Sequence, residues 1–237
     1  MSDAVFRLRV AYAKQGRLRH LGHLEMLRTI ERCVRRAGLP FAVTQGFSPH
    51  MRIQFSAALP TGVSSTCECY DAFLTSLVDR DAALEALERS TPRDIAPFAT
   101  CYVTREVPAL ESWLNRARWE AVVPGCSDAA MAIGDALSSL AQEGEFEYLR
   151  GDKPKRADLT QTLVSYHATE AGDDALVTLE TRSSPAGALR PSALLGAALG
   201  RAGRAGSVPL VTRTGQWHED EDGSLLAPVP ASLGWPS

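Results

Sequence analysis

Between Gly22 and Ala37, the apolar residues Leu24, Leu27, Ile30, Val34 and Ala37 recur at spacings of three and four. That period places them on one stripe of an α-helix, and the alternation of a strand does not reproduce it. Gly22 is a permissive N-cap, and Gly38 followed by Leu39-Pro40 is a clear stop. Away from the apolar stripe, Arg28, Arg32, Arg35 and Arg36 stand at i, i+4, i+7 and i+8 and form a second, guanidinium stripe. Upstream, residues 5–13 alternate, with Val5, Leu8, Val10 and Tyr12 among the larger groups and a slip near Phe6. This reads as a strand. Lys14-Gln15-Gly16-Arg17 is a turn between the two.

The same reading continues down the chain. Strand pieces at 41–44 and 51–57 flank the loop Gln45-Gly46-Phe47-Ser48-Pro49-His50. A strand at 67–75, a helix at 79–89 and a strand at 97–104 follow. Strand, helix, strand, strand, helix, strand is the ferredoxin-like order. It recurs as strand 119–124, helix 127–141, strand 145–150, strand 161–169 or 175–182, helix 191–200 and strand 208–213. The expected fold is therefore α+β: two tandem ferredoxin-like (βαββαβ) units, antiparallel sheets with helices on one face. The expected boundaries are 1–105, a connection at 106–118, a second unit at 119–217, and a disordered acidic and Pro-rich tail at 218–237.

Residues 20–65 carry four blocks in order: Gly22-His23-Leu24-Glu25, Arg35-Arg36-Ala37-Gly38-Leu39-Pro40, Gln45-Gly46-Phe47-Ser48-Pro49-His50-Met51 and Ala58-Leu59-Pro60-Thr61-Gly62. This stretch resembles the radical-SAM-linked family of bacterial domains, found fused to or encoded beside a radical SAM protein. The family's pattern has Ser-His-Leu-Asp, Arg-Arg-Ala-x-Leu-Pro, Gln/Glu-Gly-Phe-Asn-Pro-His-Pro and Ala-Leu-Pro-x-Gly. The resemblance continues faintly at Glu68 and Asp71, at Lys155-Arg156-Ala157-Asp158-Leu159 and at Arg190-Pro191. Here Gly22, Glu25 and Ser48 depart from it. Gly22 lacks the family's side-chain cap, worth roughly a few tenths of a kcal/mol. The resemblance implies a radical SAM protein as partner and transfers no catalytic residue. Radical SAM chemistry itself needs three cluster-binding cysteines, usually spaced Cys-x-x-x-Cys-x-x-Cys. Cys33, Cys67, Cys69, Cys101 and Cys126 contain no such set.

The net charge of -3 hides an asymmetry. Residues 1–60 hold 10 basic and 3 acidic residues, and the remainder is acidic in excess. A basic head favours an anionic partner. The expected anion- or RNA-binding set is Arg19, His23, Arg28, Arg32, Arg35, Arg36, Gln45, Phe47, His50 and Arg52. Guanidinium forks match phosphate bidentately, and Phe47 offers a stacking face for a base. The plain alternative is a solvated helix face paired with Glu25 and Glu31.

His20, His23 and His50 pose a second question, whether they meet as a metal or anion site. The competing reading is that His23 caps the helix and His50 ties down its loop. Cys67 and Cys69 project to one face of a strand, as two small buried residues rather than zinc ligands. Glu68 and Asp71 would face opposite sides of it. Lys153, Lys155, Arg156 and Asp158 read as a mobile polar segment and a possible second anion contact. No Gly-rich phosphate loop or nucleophile elbow is present.

The expected function is a non-catalytic adaptor, not an enzyme on its own, that binds RNA or a radical SAM partner and needs no cofactor. Two alternatives stand beside it: an RNA-processing or RNA-modifying enzyme on the paired scaffold, and a metal-binding protein. The start of the chain shows no export signal, and no apolar run reaches the roughly 20 residues of a membrane span. With an odd number of cysteines, this points to reduced thiols in a bacterial-type cytoplasm.

Overall fold

A computed structural model describes residues 5–184 and 187–236. The chain forms two compact units, one of residues Met1–Leu114 with Gly215–Ser237, the other of Asn115–Thr214.

In the first unit β1 (Phe6–Lys14) leads through a 3-10 turn to α1 (His23–Arg36). Next come β2 (Ile53–Phe55), β3 (Ser64–Leu74), α2 (Arg80–Ser90), β4 (Pro97–Val103) and the short α3 (Leu110–Trp113). β1 lies between β3 and β4 and is antiparallel to both, while β2 adds to β3. The alternation of β1 sorts its side chains between two covered faces. Leu8, Val10 and Tyr12 join Tyr70, Ala72 and Leu74 of β3 beneath α1 and α2. Ala11, Cys67 and Cys69 face the other way, under Leu110, Leu114, Val229 and Trp235.

α1 begins and ends where its punctuation places it. Gly22 is the N-cap, and its backbone N–H donates to Glu25 Oε2 at 2.8 Å. Gly38 takes a left-handed φ of 69°, which suits a residue without a Cβ. The buried stripe differs from the expected one. Met26, Ile30, Cys33 and Val34 are buried, whereas Leu24 is 68% exposed. Met26 and Cys33 lie on the same side as Ile30 at 100° per residue and rotate the inward face away from Leu24.

In the second unit β5 (Arg116–Val123) precedes α4 (Ala130–Glu143), β6 (Glu145–Arg150) and β7 (Lys153–Asp158). α5 (Leu159–Thr162), β8 (Leu163–Ala171), β9 (Asp174–Ser184), β10 (Gly187–Ala188), α6 (Pro191–Arg201) and the start of β11 (Leu210–Glu219), whose residues from Gly215 belong to the first unit, complete the order. β9 pairs antiparallel with β5 and with β8. The expected strand at 145–150 exists but does not join that sheet: it forms a separate hairpin with β7. Both candidate segments, 161–169 and 175–182, contain strands, the first from Leu163 onward after the helical turn of α5. The polar stretch around Lys153 to Asp158, expected to be mobile, is β7 itself. Arg156 pairs with Glu145, and Asp158 caps α5.

The expected disordered tail is also corrected. The acidic run is a tight turn in which Asp220 N–H donates to Ser224 O at 2.9 Å, leading into β12 (Leu225–Leu226) on β11. Beyond it, Val229 and Trp235 are buried in the first unit. Two apolar anchors suffice to lay down a segment whose prolines need no ladder hydrogen bonds. Among the described residues, no helix is long and apolar enough to cross a membrane.

Candidate functional site: basic surfaces of the first unit

Arg28, Arg32, Arg35 and Arg36 are all exposed on the outer side of α1. Among the described residues no carboxylate pairs with any of them. The other helices behave differently. On α2, Arg80 pairs with Asp81 and Arg89 with Glu85; on α6, Arg201 pairs with Glu143. The one acidic side chain held in the first turn of α1, Glu25, is occupied by its N-cap bond. Arg35 lies over the Phe41 ring at 5.2 Å, and Arg32 donates to Thr29 Oγ1 at 3.2 Å.

The remaining expected site residues are dispersed. Arg19 is half-buried in the turn before α1 and donates to His20 Nε2 at 3.2 Å. His23 lies edge-on to Phe55 at 5.7 Å and lines a small cavity with Tyr12, Lys14 and Glu68, apart from the arginine stripe. His50 closes its loop through the backbone: its N–H donates to Thr44 Oγ1, and Thr44 N–H donates to its carbonyl. Gln45 and Phe47 project into solvent from that loop. Among the described residues, no three His, Cys, Asp or Glu side chains are grouped to hold a metal, which corrects the three-histidine metal reading. None of the five cysteines is joined in a disulfide.

Arg52 belongs to a second basic surface. Its guanidinium lies 4.0 Å from the centre of the Phe73 ring. With Val5, Arg7, Gln54, Phe73, Arg105, Val107, Pro108 and Ala109 it lines a cleft of about 480 Å³.

Under that cleft is a network that sequence patterning does not reveal. Asp71 Oδ2 accepts from Arg7 Nε at 2.6 Å and Oδ1 accepts from Arg9 Nε at 2.8 Å. The side chains of Arg7, Arg9 and Asp71 are 7%, 1% and 0% exposed. Arg7 also donates to the carbonyls of Val107 and Pro108, and Arg9 to that of Pro228. Arg9 lies 5.5 Å from the Trp113 ring centre, and Trp113 stacks on His218. The alternation of β1 puts Arg7 and Arg9 on one face; nothing nearby in sequence tells that this face is covered.

The profile of a family described as an uncharacterised protein conserved in bacteria (DUF2344) matches residues 7–191. No curated protein matches the chain. Two solved structures are similar at 12% identity. One is a chain of a Cbf5-Nop10-Gar1 complex, with a TM-score of 0.44 over 90% of this chain and 50% of that one. The other is an unknown protein from Galdieria sulphuraria, with a TM-score of 0.26 over 89% of this chain and 99% of that one.

Proposed function

The chain belongs to this family of uncharacterised bacterial proteins, and we propose that it acts as a non-catalytic adaptor that holds the phosphate backbone of RNA along α1. One observation carries the reading. Among the described residues, four guanidiniums share the outer side of one helix without a carboxylate partner, whereas the arginines on α2 and α6 are paired. Unpaired, closely spaced forks keep their donors available for phosphate oxygens, and binding there releases counterions. Phe47, fully exposed on the 45–50 loop, adds a face on which a base stacks.

The proposed scaffold for this role is a pair of ferredoxin-like units. The first unit orders its strands β4-β1-β3-β2 and the second orders the corresponding strands β11-β5-β9-β8. We read both as ferredoxin-like strand orders, with the β6–β7 hairpin inserted in the second. The radical SAM protein remains the proposed recipient of the bound RNA, on the strength of the blocks at residues 20–65.

The test is fluorescence anisotropy of short single-stranded RNAs across a salt series. Affinity should fall steeply with salt. R32E/R36E should weaken binding and flatten the slope by about 0.7 for each phosphate that is no longer neutralised. No binding at low salt, or binding indifferent to R32E/R36E, overturns the reading.

A further inference from the structure

The Arg7–Asp71–Arg9 network has an unbalanced charge. Two buried guanidiniums share one carboxylate, and arginine does not shed its proton inside a protein. The two nearby thiols do not supply the missing negative charge. Burial pushes Cys69 well above its usual range and raises Cys101 as well, so both stay protonated at neutral pH. The carbonyls of Val107, Pro108 and Pro228 satisfy donors but carry no net charge. Among the described residues, this network keeps one positive charge in excess.

That excess lies at the wall of the cleft. Arg7 lines it, and Arg52 and Arg105, both exposed, line it too. Glu106 lies beside Arg105 in sequence but is absent from the lining; its carboxylate is held chiefly by Thr104, with a smaller contribution from the Arg105 charge. The walls are otherwise Val5, Phe73, Val107, Pro108 and Ala109, with the Gln54 amide as the further polar group. A half-open cleft of about 480 Å³, with five apolar residues facing three guanidiniums and an amide, has the size to take a small organic molecule. A bare ion would leave those walls uncovered.

We propose that this cleft is a binding site for a small organic anion, a carboxylate or phosphate monoester on a compact apolar body, clamped between Arg52 and Arg105. Arg7 contributes as a fixed field rather than a clamp, since its donors are already engaged by Asp71, Val107 and Pro108. The site is distinct from the α1 stripe and stands whether or not α1 binds RNA.

Titration calorimetry on the full chain tests it with four probes: inorganic phosphate, adenosine monophosphate, acetate and phenylacetate. Saturable binding of at least one organic anion, tighter than that of the inorganic or short-chain member of its pair, is expected. The pair that responds tells phosphate from carboxylate. R105A, on an exposed turn, and R52Q, which keeps an aliphatic stem over Phe73, should each weaken binding about tenfold. R32E/R36E should leave it unchanged. Absence of saturation by all four probes below about 10 mM overturns the proposal. So does binding that is insensitive to R105A and R52Q, or that is lost instead in R32E/R36E.

Discussion

At Asp71 the cross-strand register decides what a charged residue does. β1 and β3 pair Arg9 with Asp71 directly, and both sit under covering chain rather than in water. Alternation in the sequence assigns Arg7 and Arg9 to one side of the strand, but not to a dry side. The cover comes from residues 107–114 and 227–235, distant in sequence, and so leaves no local signal. The energetic consequence is large. Asp71→Asn leaves two buried guanidiniums without their counter-charge, and removing one member of a buried pair costs about 3–5 kcal/mol. Urea unfolding should show a midpoint lowered accordingly. A midpoint within error of the parent's would mean that the carbonyls alone satisfy both arginines.

At the level of elements, α1 was legible to within a residue because glycine punctuates both its ends. Its rotation was less so, since Leu24 fits the three-and-four spacing and yet faces water. Because the arginine stripe touches no carboxylate among the described residues, R32E/R36E should change stability by no more than about 0.5 kcal/mol. Thermal unfolding by circular dichroism checks this, and it separates a folding defect from a binding defect in the RNA experiment. The strand order of the second unit was blurred by the β6–β7 hairpin, which carries a strand-like pattern without joining the main sheet. Within that sheet, Arg118 stands opposite Glu180, which also pairs with Arg116. Burial pushes the Glu180 carboxyl up, but the hydrogen bonds from Arg116 and Arg118 outweigh it and hold it below the ordinary range. Its folded value is lower than its unfolded one, so its contribution is fully present above the usual glutamate value of about 4.3 and fades as pH falls through the folded value. E180Q should therefore be less stable than the parent near neutrality, with the gap closing in acid. Unfolding measured from pH 7 downward tests it, and a gap that widens in acid would contradict the sign.

Over the whole molecule, composition was a good guide to charge and a poor one to order. The basic head and acidic remainder point to the first unit, where both arginine surfaces lie. An acidic, Pro-rich composition predicts disorder for the last twenty residues, yet Ala227, Val229, Leu233 and Trp235 complete the first unit's second face. A few large side chains outweigh average composition when each is buried: Trp235 packs near Phe98 and donates from Nε1 to Gln216 O at 3.3 Å, and Val229 is fully enclosed. Gln216 in turn donates to Cys67 O on β3, so the segment is bound to the sheet by polar as well as apolar contacts. Trp235→Ala should cost about 3–5 kcal/mol, the range for emptying a buried aromatic site. Truncation after Glu219 should cost more, because it also takes away Val229 and the Pro228 carbonyl that accepts from Arg9. Denaturant unfolding of both variants gives the comparison. If W235A were as stable as the parent, the segment would rest on the sheet without holding it. If truncation cost no more than W235A, the tryptophan alone would account for the attachment, and the Arg9–Pro228 bond would contribute nothing measurable.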